Sequence, residues 1–494
     1  MFWKSYPLMK NIFPEREDSA LDNVEKEKLE ELAENLVYRG ENVWEKVSEE
    51  EKEKIFALGE EYKSFLDKSK TEREAVQEIV RAAKEKGFLD LKELKDGKQI
   101  KPGTGFYAVY RDKAVVLGVV GSAELSRGIR LIGSHLDAPR LDLKPQPLYE
   151  KHDLALFKTH YYGGIKKYQW TAIPLALHGI VVLQDGRKIE VVMGEKEDDP
   201  VFTITDLLPH LAAEQYRRRL SEAIKGEELN VLVGSIPLKG EGYKEKVKLA
   251  VLERLNSAYG IIEEDLMSAE LEMVPAGNAR DIGFDRSLVG AYGQDDRICV
   301  FASLKAVLDI ETPEITAIAL FVDKEEIGSV GNTGMQSKIL EETLYELMKI
   351  TGQEVSLYKL LSSSKALSAD VNAAIDPTWE DVMDKLNAAK LGFGVCLTKY
   401  TGARGKVDAS DANAEYIAEL RNLFNREGIL WQMGELGKVD QGGGGTIAKY
   451  IANLNIDVID CGMPLLSMHA PFEVSSKGDL YMGYKAYKAF WMDS

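Results

Sequence analysis

The sequence predicts an α/β protein: a mostly parallel central sheet with flanking helices, interrupted by an inserted, smaller β-rich domain. Three observations predict it. Strand-like apolar runs, among them "GIRLIGSH" (128–135), "EITAIALFVD" (314–323) and "NIDVIDCGMPLLS" (455–467), alternate with helical stretches in the manner of a parallel sheet. Between residues 146 and 284 the texture changes to short alternating strands and loops. Acidic and imidazole side chains recur where the predicted strands end, which is where open α/β sheets collect their ligands.

Composition narrows the function classes. The 494-residue chain is long enough for two or three domains, and its 45% hydrophobic content suits a buried core. With 63 basic and 81 acidic residues the net charge is −18, which disfavours nucleic acid or an anionic membrane as a partner. Cys299, Cys396 and Cys461 are odd in number, far apart and set in apolar runs. No disulfide framework is expected, and the compartment reads as the reducing cytoplasm. The opening "MFWKSYPLMKNIFPERE" is broken by Lys4, Pro7 and Lys10 and lacks a small-residue cleavage site. It reads as a segment that docks on its own protein or on a partner subunit, rather than as a secretory signal. No run approaches ~18 uninterrupted apolar residues, so no membrane span is expected.

Taken in order, residues 20–87 carry a helical pattern, with one stripe at Leu29, Leu32 and Leu36 and another at Ile55, Leu58, Tyr62 and Phe65. "SEEEKEK" (48–54) is a solvated helix face. "TERE" (71–74) has the form of a capping box, and Gly87 would stop the helix that it opens. "AVVLGVVG" (114–121) and 128–135 follow as strands. In the inserted block, "HGIVVLQDGRKIEVVM" (178–193) reads as strands and "LPHLAAEQYRRRLSEAI" (208–224) as a polar helix. After it come a helix at 297–310, the strand at 314–323, a further helical region and the strand at 455–467.

The strand ends carry the chemistry. His135 and Asp137 are two residues apart and share one face of a strand. Such a pair can bind a metal through the imidazole, with the carboxylate fixing its tautomer, or it can be a strand-end His beside a turn Asp. The strand at 315–322 delivers Asp323, Glu325 and Glu326; "LLSMHAP" brings His469; "YGQDDR" holds Asp295 and Asp296 before a helix; "LSAD" places Asp370. Each alone has an ordinary explanation: a helix N-cap for Asp295, a solvated charge run for the two Glu, a turn for Asp370, a core histidine for His469. Together, two imidazoles and several carboxylates make the N/O donor set that Zn²⁺, Mn²⁺ or Co²⁺ accept without a thiolate. One carboxylate with an oxygen on each of two cations can hold them about 3.5 Å apart around a shared water. Spacing alone leaves open whether positions 135 to 469 meet.

Five motifs in order along the chain, "LIGSHLDAP", "GAYGQDDR", "FVDKEEIGS", "SADVNAAIDP" and "LLSMHAPFEV", resemble those of the aspartyl aminopeptidase family of dinuclear zinc metallo-aminopeptidases. Weaker similarity runs from near residue 60 to about 488. The resemblance implies a zinc exopeptidase fold, with 1–145 and 285–494 as the catalytic domain and 146–284 as an inserted dimerisation and lid domain. It implies two divalent metal ions, zinc first and cobalt or manganese as substitutes, held by His135, Asp295, Glu326, Asp370 and His469, with Asp295 bridging. Asp137 would orient His135, and Glu325 would be the general base. The implied activity is hydrolysis of the N-terminal residue of peptide substrates, with acidic residues (Asp or Glu) read by Lys399 in "CLTKY". The implied assembly is a homo-oligomer, a tetrahedral dodecamer built from dimers.

Lys399 reads equally well as a solvent-facing strand lysine. The chain also departs from the family pattern. Glu214 stands where the insert of the family carries a His, "HYYGGIKK" (160–167) brings His160 into an altered glycine stretch, "QDDR" replaces an Asp-Asn form, and "QGGGG" (441–445) replaces a different loop. These changes put acidic specificity in question. They leave two other readings, a broader aminopeptidase for neutral residues and a catalytically silent assembly or peptide-binding relative. The complete set of ligands and the base speak against silence.

Overall fold

The computed structural model describes residues 28–94 and 100–493. Two compact units are distinguished, Met1–Glu41 and Asn42–Ser494. In the first a helix covers 28–36; the docking segment at 1–17 and the start of the helical pattern at 20–27 lie outside the described residues. No helix among the described residues is long and apolar enough to cross a membrane.

In the second unit a nine-stranded sheet runs in the order Leu89–Asp90, Gly105–Tyr110, Ala114–Val119, Thr316–Val322, Ile129–His135, Lys365–Ser368, Asp457–Gly462, Val395–Thr398 and Trp431–Met433. Five of its eight pairings are parallel, so the expected mostly parallel α/β sheet is the one observed. Both faces are covered, and strand Thr316–Val322 shows how. Ala317, Ala319 and Phe321 pack into a core with helices Gln294–Asp309 and Lys477–Met492, while Ile318, Leu320 and Val322 pack into a second core with helix Ile339–Thr351. The period-2 alternation of a strand produces both layers, which is why this run is apolar throughout. Each large apolar side chain so buried contributes about 1.5–3 kcal/mol.

The register brings the carboxyl ends of neighbouring strands level, since Val322 pairs with His135 and Ser368 with Gly133. A five-stranded sheet, Arg280–Ile282, Leu288–Ala291, Glu473–Ser476, Pro464–Leu466 and Asn372–Ala373, borders that edge. Its strands lead into or out of Asp295, Asp370 and His469. The β-rich block forms a seven-stranded antiparallel sheet between Arg140 and Pro275 with its own core around Phe157, Trp170, Leu177 and Met273.

Local expectations hold where the signal is local. Thr71 accepts the Glu74 N–H at 3.3 Å and Glu74 accepts the Thr71 N–H at 3.0 Å, the expected capping box, and Gly87 ends the helix with φ +85°. Two expectations are corrected. The run at 455–467 is two strands, because the chain leaves the large sheet after Gly462 and enters the five-stranded one at Pro464. The segment 208–224 is not one continuous helix but three separate single turns, 3₁₀ at Pro209–Leu211 and Gln215–Arg217 and α at Leu220–Ala223. Leu207, Leu208, Leu211, Tyr216 and Leu220 are exposed there, and without a core to bury an apolar face a short helix has little to stabilise it.

One buried polar cluster joins the β-rich block to the helix Glu72–Glu85 and the residue before its cap, Lys70. His178 on strand Leu175–Val182 lies 2.7 Å from Glu74 through Nδ1 and 3.0 Å from Glu195 through Nε2, and Lys70 pairs with Glu195 at 2.7 Å. Burial lowers the His178 pKa, but the two carboxylates outweigh it and the net shift is upward. A raised histidine pKa contributes stability that is complete below about pH 6.5, the unfolded value, and is lost as pH rises through the folded one. His178→Gln is therefore expected to destabilise the protein by about 3 kcal/mol at pH 6. In urea denaturation the difference from the parent should shrink as the pH is raised above 6.5 through the folded-state value.

Candidate metal centre

His135 closes its strand with Nδ1 3.0 Å from the Asp137 carbonyl. A carbonyl only accepts, so Nδ1 carries the ring hydrogen and Nε2 presents a lone pair. The Asp137 carboxylate lies 3.4 Å from the same Nδ1. Its closer contacts are with the next strand end. The backbone N–H groups of Glu325 and Glu326 each donate to it at 3.1 Å, and the Tyr162 hydroxyl donates at 2.9 Å. Left-handed residues on either side, Lys324 and Gly328, curl this loop so that both glutamates face inward.

His469 is held from both ends. Its Nδ1 donates to the Gly164 carbonyl at 2.9 Å and its backbone N–H to Glu473 at 2.7 Å. The same Glu473 accepts the Asp295 N–H at 3.1 Å. Glu473 was missed by sequence reasoning; its only signal is an acidic residue four positions after His469, at the start of a short strand. Tyr162 and Gly164 were missed as contacts too, although the glycine stretch had marked their neighbourhood.

Asp295 lies between the two imidazoles. Its Oδ1 is 3.2 Å from His135 Nε2 and its Oδ2 is 3.2 Å from His469 Nε2, which is also 3.4 Å from Glu326 Oε1. It does not cap the helix Gln294–Asp309: Gly293 holds the N-cap, and Asp295 and Asp296, joined by a cis peptide, have non-helical dihedrals. Ligand atoms of His135, Asp295 and Glu326 lie within 4.8 Å of one another, as do those of His135, Glu325 and Asp370, and those of Asp295, Asp296 and Asp370. Asp296, named beside Asp295 from the sequence but given no role, accepts the His135 N–H at 3.2 Å.

These donors fit divalent cations. Each Nε2 lone pair faces a carboxylate oxygen, a repulsive contact unless a proton or a cation stands between them. Glu326 Oε1 and Asp296 Oδ1 are buried and have no hydrogen-bond partner among the described residues. Protonation equilibria report the same strain. Burial lowers the His469 pKa, yet Asp295 and Glu326 carry it up to about 10. Burial, joined by the Asp295 charge, pushes Glu326 well above the carboxylate range, and burial outweighs His135 to do the same to Asp370. Glu325 is lifted to about 7 and Glu473 to about 8, burial being the largest cause for both. Imidazole and carboxylate with no thiolate is the donor set of zinc and its neighbours.

The cage opens into a cavity of about 440 Å³, lined in part by Asp295, Glu325, Glu326, Asp370, His469 and Gly164. Thr398 and Thr401 line it too, while Lys399 between them turns its ammonium to Asp411 at 2.7 Å and to the Ala412 carbonyl at 3.0 Å. His160 is exposed and turned to the Tyr161 carbonyl, and exposed Glu214 pairs with Arg217 at 3.1 Å. Asp137→Ala would leave two half-buried N–H groups without their acceptor, at about 1–3 kcal/mol each. The expected outcome is a matching loss of stability in chemical denaturation of the metal-free protein; a loss under about 1 kcal/mol would contradict the geometry.

A family model described as "Aminopeptidase I zinc metalloprotease (M18)" matches residues 65–491. A protein of Clostridium acetobutylicum named as a probable M18 family aminopeptidase 1 is 50% identical over 459 residues, covering 92% of this chain and 99% of its own. One of that name from Thermotoga maritima is 50% identical over 451 residues, covering 91% and 98%. Among solved structures, an M18-family aminopeptidase from Thermotoga maritima superposes with a TM-score of 0.88 at 49% identity, covering 92% of this chain and 100% of that one. Aminopeptidase I from Clostridium acetobutylicum gives 0.87 at 47% identity with the same coverage.

Proposed function

The chain belongs to the M18 family of zinc metallo-aminopeptidases, and from that premise we propose that it removes the N-terminal residue of peptides at a two-metal cage with Glu325 as general base. The observation that carries this reading is the Asp295 carboxylate with one imidazole Nε2 at 3.2 Å from each of its oxygens, the arrangement of a carboxylate shared by two ions. His135, Asp370 and Asp295 would hold one, and Asp295, Glu326 and His469 the other. Two divalent ions so held supply Lewis acidity, which lowers the pKa of water and withdraws charge from the scissile carbonyl.

The chain's own groups do the rest. Glu325 has no ligand's duty on this reading and is free to take the proton of the attacking water and pass it to the leaving amine as the C–N bond breaks. Asp137, through the two backbone N–H groups it accepts, keeps Glu325 and Glu326 in their separate directions. Glu473 holds His469 and Asp295 in register by accepting a backbone N–H from each. Burial of the cage strengthens each of these interactions.

Preference for acidic first residues rests on Lys399. Its ion pair with Asp411 favours the second reading, a broader enzyme acting on neutral residues. A panel of aminoacyl anilides separates the two: aspartyl and glutamyl compounds lead under the first, leucyl and alanyl compounds under the second. The reading includes a cytoplasmic address, supported by three free, buried cysteines. It also includes a homo-oligomer, up to a tetrahedral dodecamer, with 146–284 as dimerisation and lid domain. The exposed apolar side chains between Leu207 and Leu220 support such an interface. Light scattering is expected to give a mass well above one chain, and a monomeric mass would remove this part of the reading.

Glu325→Gln is expected to keep full metal stoichiometry while kcat falls about 10²–10⁴-fold. Glu326→Ala is expected to lose metal. Elemental analysis and hydrolysis measured on the same preparations decide the roles: if both variants are fully loaded, the division of labour between the two glutamates is wrong, and a metal-loaded parent that hydrolyses no peptide is the silent relative.

A further inference from the structure

We propose that Lys449 receives a carboxylate of the bound peptide, so that the cavity selects substrates by a negative charge as well as by a free amino end. The inference rests on the peptidase reading of that cavity. Apart from Lys449 and Tyr450, the ionisable side chains of the lining are the acids Asp295, Glu325, Glu326, Asp370 and Asp460, with His469 beside them. Lys449 is the one Lys or Arg lining the cavity among the described residues. A peptide whose ammonium end is drawn to the acidic cage therefore meets a cation further along the same cavity.

The ammonium is held in place without being neutralised. The residue is half-buried, and its ammonium lies 4.9 Å from the centroid of the Tyr450 ring. The Tyr450 hydroxyl donates to the Gly328 carbonyl at 3.1 Å, two residues beyond Glu326, so the lysine is tied to the loop that carries the proposed base and a proposed ligand. Space lies beside it: a Cβ built on Gly445 would come 3.5 Å from Nζ, so the glycine run there leaves room that a side chain would fill. Among the described residues this ammonium makes no hydrogen bond or ion pair. The nearby lysines differ, Lys324 pairing with Asp323 at 2.8 Å and Lys399 with Asp411 at 2.7 Å. A cation kept partly out of water with no anion gains most when a ligand brings one.

A peptide offers that carboxylate from two sources, the side chain of an acidic first residue or the free C-terminus of a short chain. A cavity of about 440 Å³ has room for a ligand of a few residues. The test uses metal-loaded parent, Lys449→Met and Lys449→Arg with three peptides: acidic first residue and amidated C-terminus, neutral first residue and free C-terminus, neutral first residue and amidated C-terminus. Lys449→Met is expected to lower kcat/KM on one carboxylated peptide about tenfold relative to the neutral amide, through KM, and Lys449→Arg to restore most of that ratio. The affected peptide identifies the source. Equal ratios across all three peptides, or an Arg variant as poor as the Met variant, overturn the proposal. Calorimetric titration of the same peptides into metal-loaded Glu325→Gln, with and without Lys449→Met, reads the contact without turnover, so it stands apart from any failure of the peptidase reading: about tenfold weaker binding of the carboxylated peptide once Lys449→Met is added supports the contact, and unchanged binding, or none to either protein, overturns it.

Discussion

The buried carboxylate of Asp137 is the constraint on which the site depends. It joins three stretches of chain that have no local reason to meet: the end of strand Ile129–His135, the Glu325–Glu326 turn after strand Thr316–Val322, and Tyr162 at the end of a strand in the β-rich block. Burial opposes its charge, but the His135 side chain, the Tyr162 hydroxyl and Arg140 hold its pKa below the usual carboxylate range. Arg140 in turn stacks 3.9 Å from the centre of the Tyr162 ring. An ionised acceptor binds amide hydrogens more strongly than a neutral one, so a single group sets the direction of two neighbouring glutamates.

The cage is costly for the fold to hold together. Carboxylates of Asp295, Asp296, Glu326 and Asp370 crowd around a buried and a half-buried imidazole, and their raised pKa values, apart from that of Asp295, show what burial and crowding do. A rigid frame is needed to keep them from moving apart. Two sheets provide it, since the level carboxyl ends of the large sheet and the five-stranded sheet beside them anchor the chain on both sides of the clustered side chains. Ligands placed at sheet ends keep their geometry better than ligands on free loops.

The β-rich block takes part in the site and does not merely lie beside it. Its strand Leu154–Tyr162 carries Tyr162 to Asp137, and the Gly164 carbonyl that follows fixes the His469 tautomer. Glycine is favoured there by conformation: Gly163 has φ +74°, and a Cβ on it would also crowd Glu326 Oε2 at 3.2 Å. The departure seen in "HYYGGIKK" thus leaves the contact glycines in place, and His160 is directed elsewhere.

Much of this was legible in the chain. The Thr71–Glu74 capping box and the uniformly apolar run at 316–322 depend on neighbours within a few residues, and the acids and imidazoles of the cage could be named because they fall where strands end. The helix expected at 208–224 and the single strand expected at 455–467 failed, because each depended on what surrounds the segment: an apolar face to cover in one case, a second sheet to enter in the other. Glu473, Tyr162 and Gly164 gave no comparable local signal. The sequence by itself determined the elements, the donor atoms and their order. Tertiary structure alone decided that Asp295 lies between two imidazoles 334 residues apart in the chain, that Lys399 is neutralised while Lys449 faces the cavity, and that Glu473 braces the cage. Such contacts form only when sheet register brings distant strand ends together, and no local preference of the backbone encodes that register.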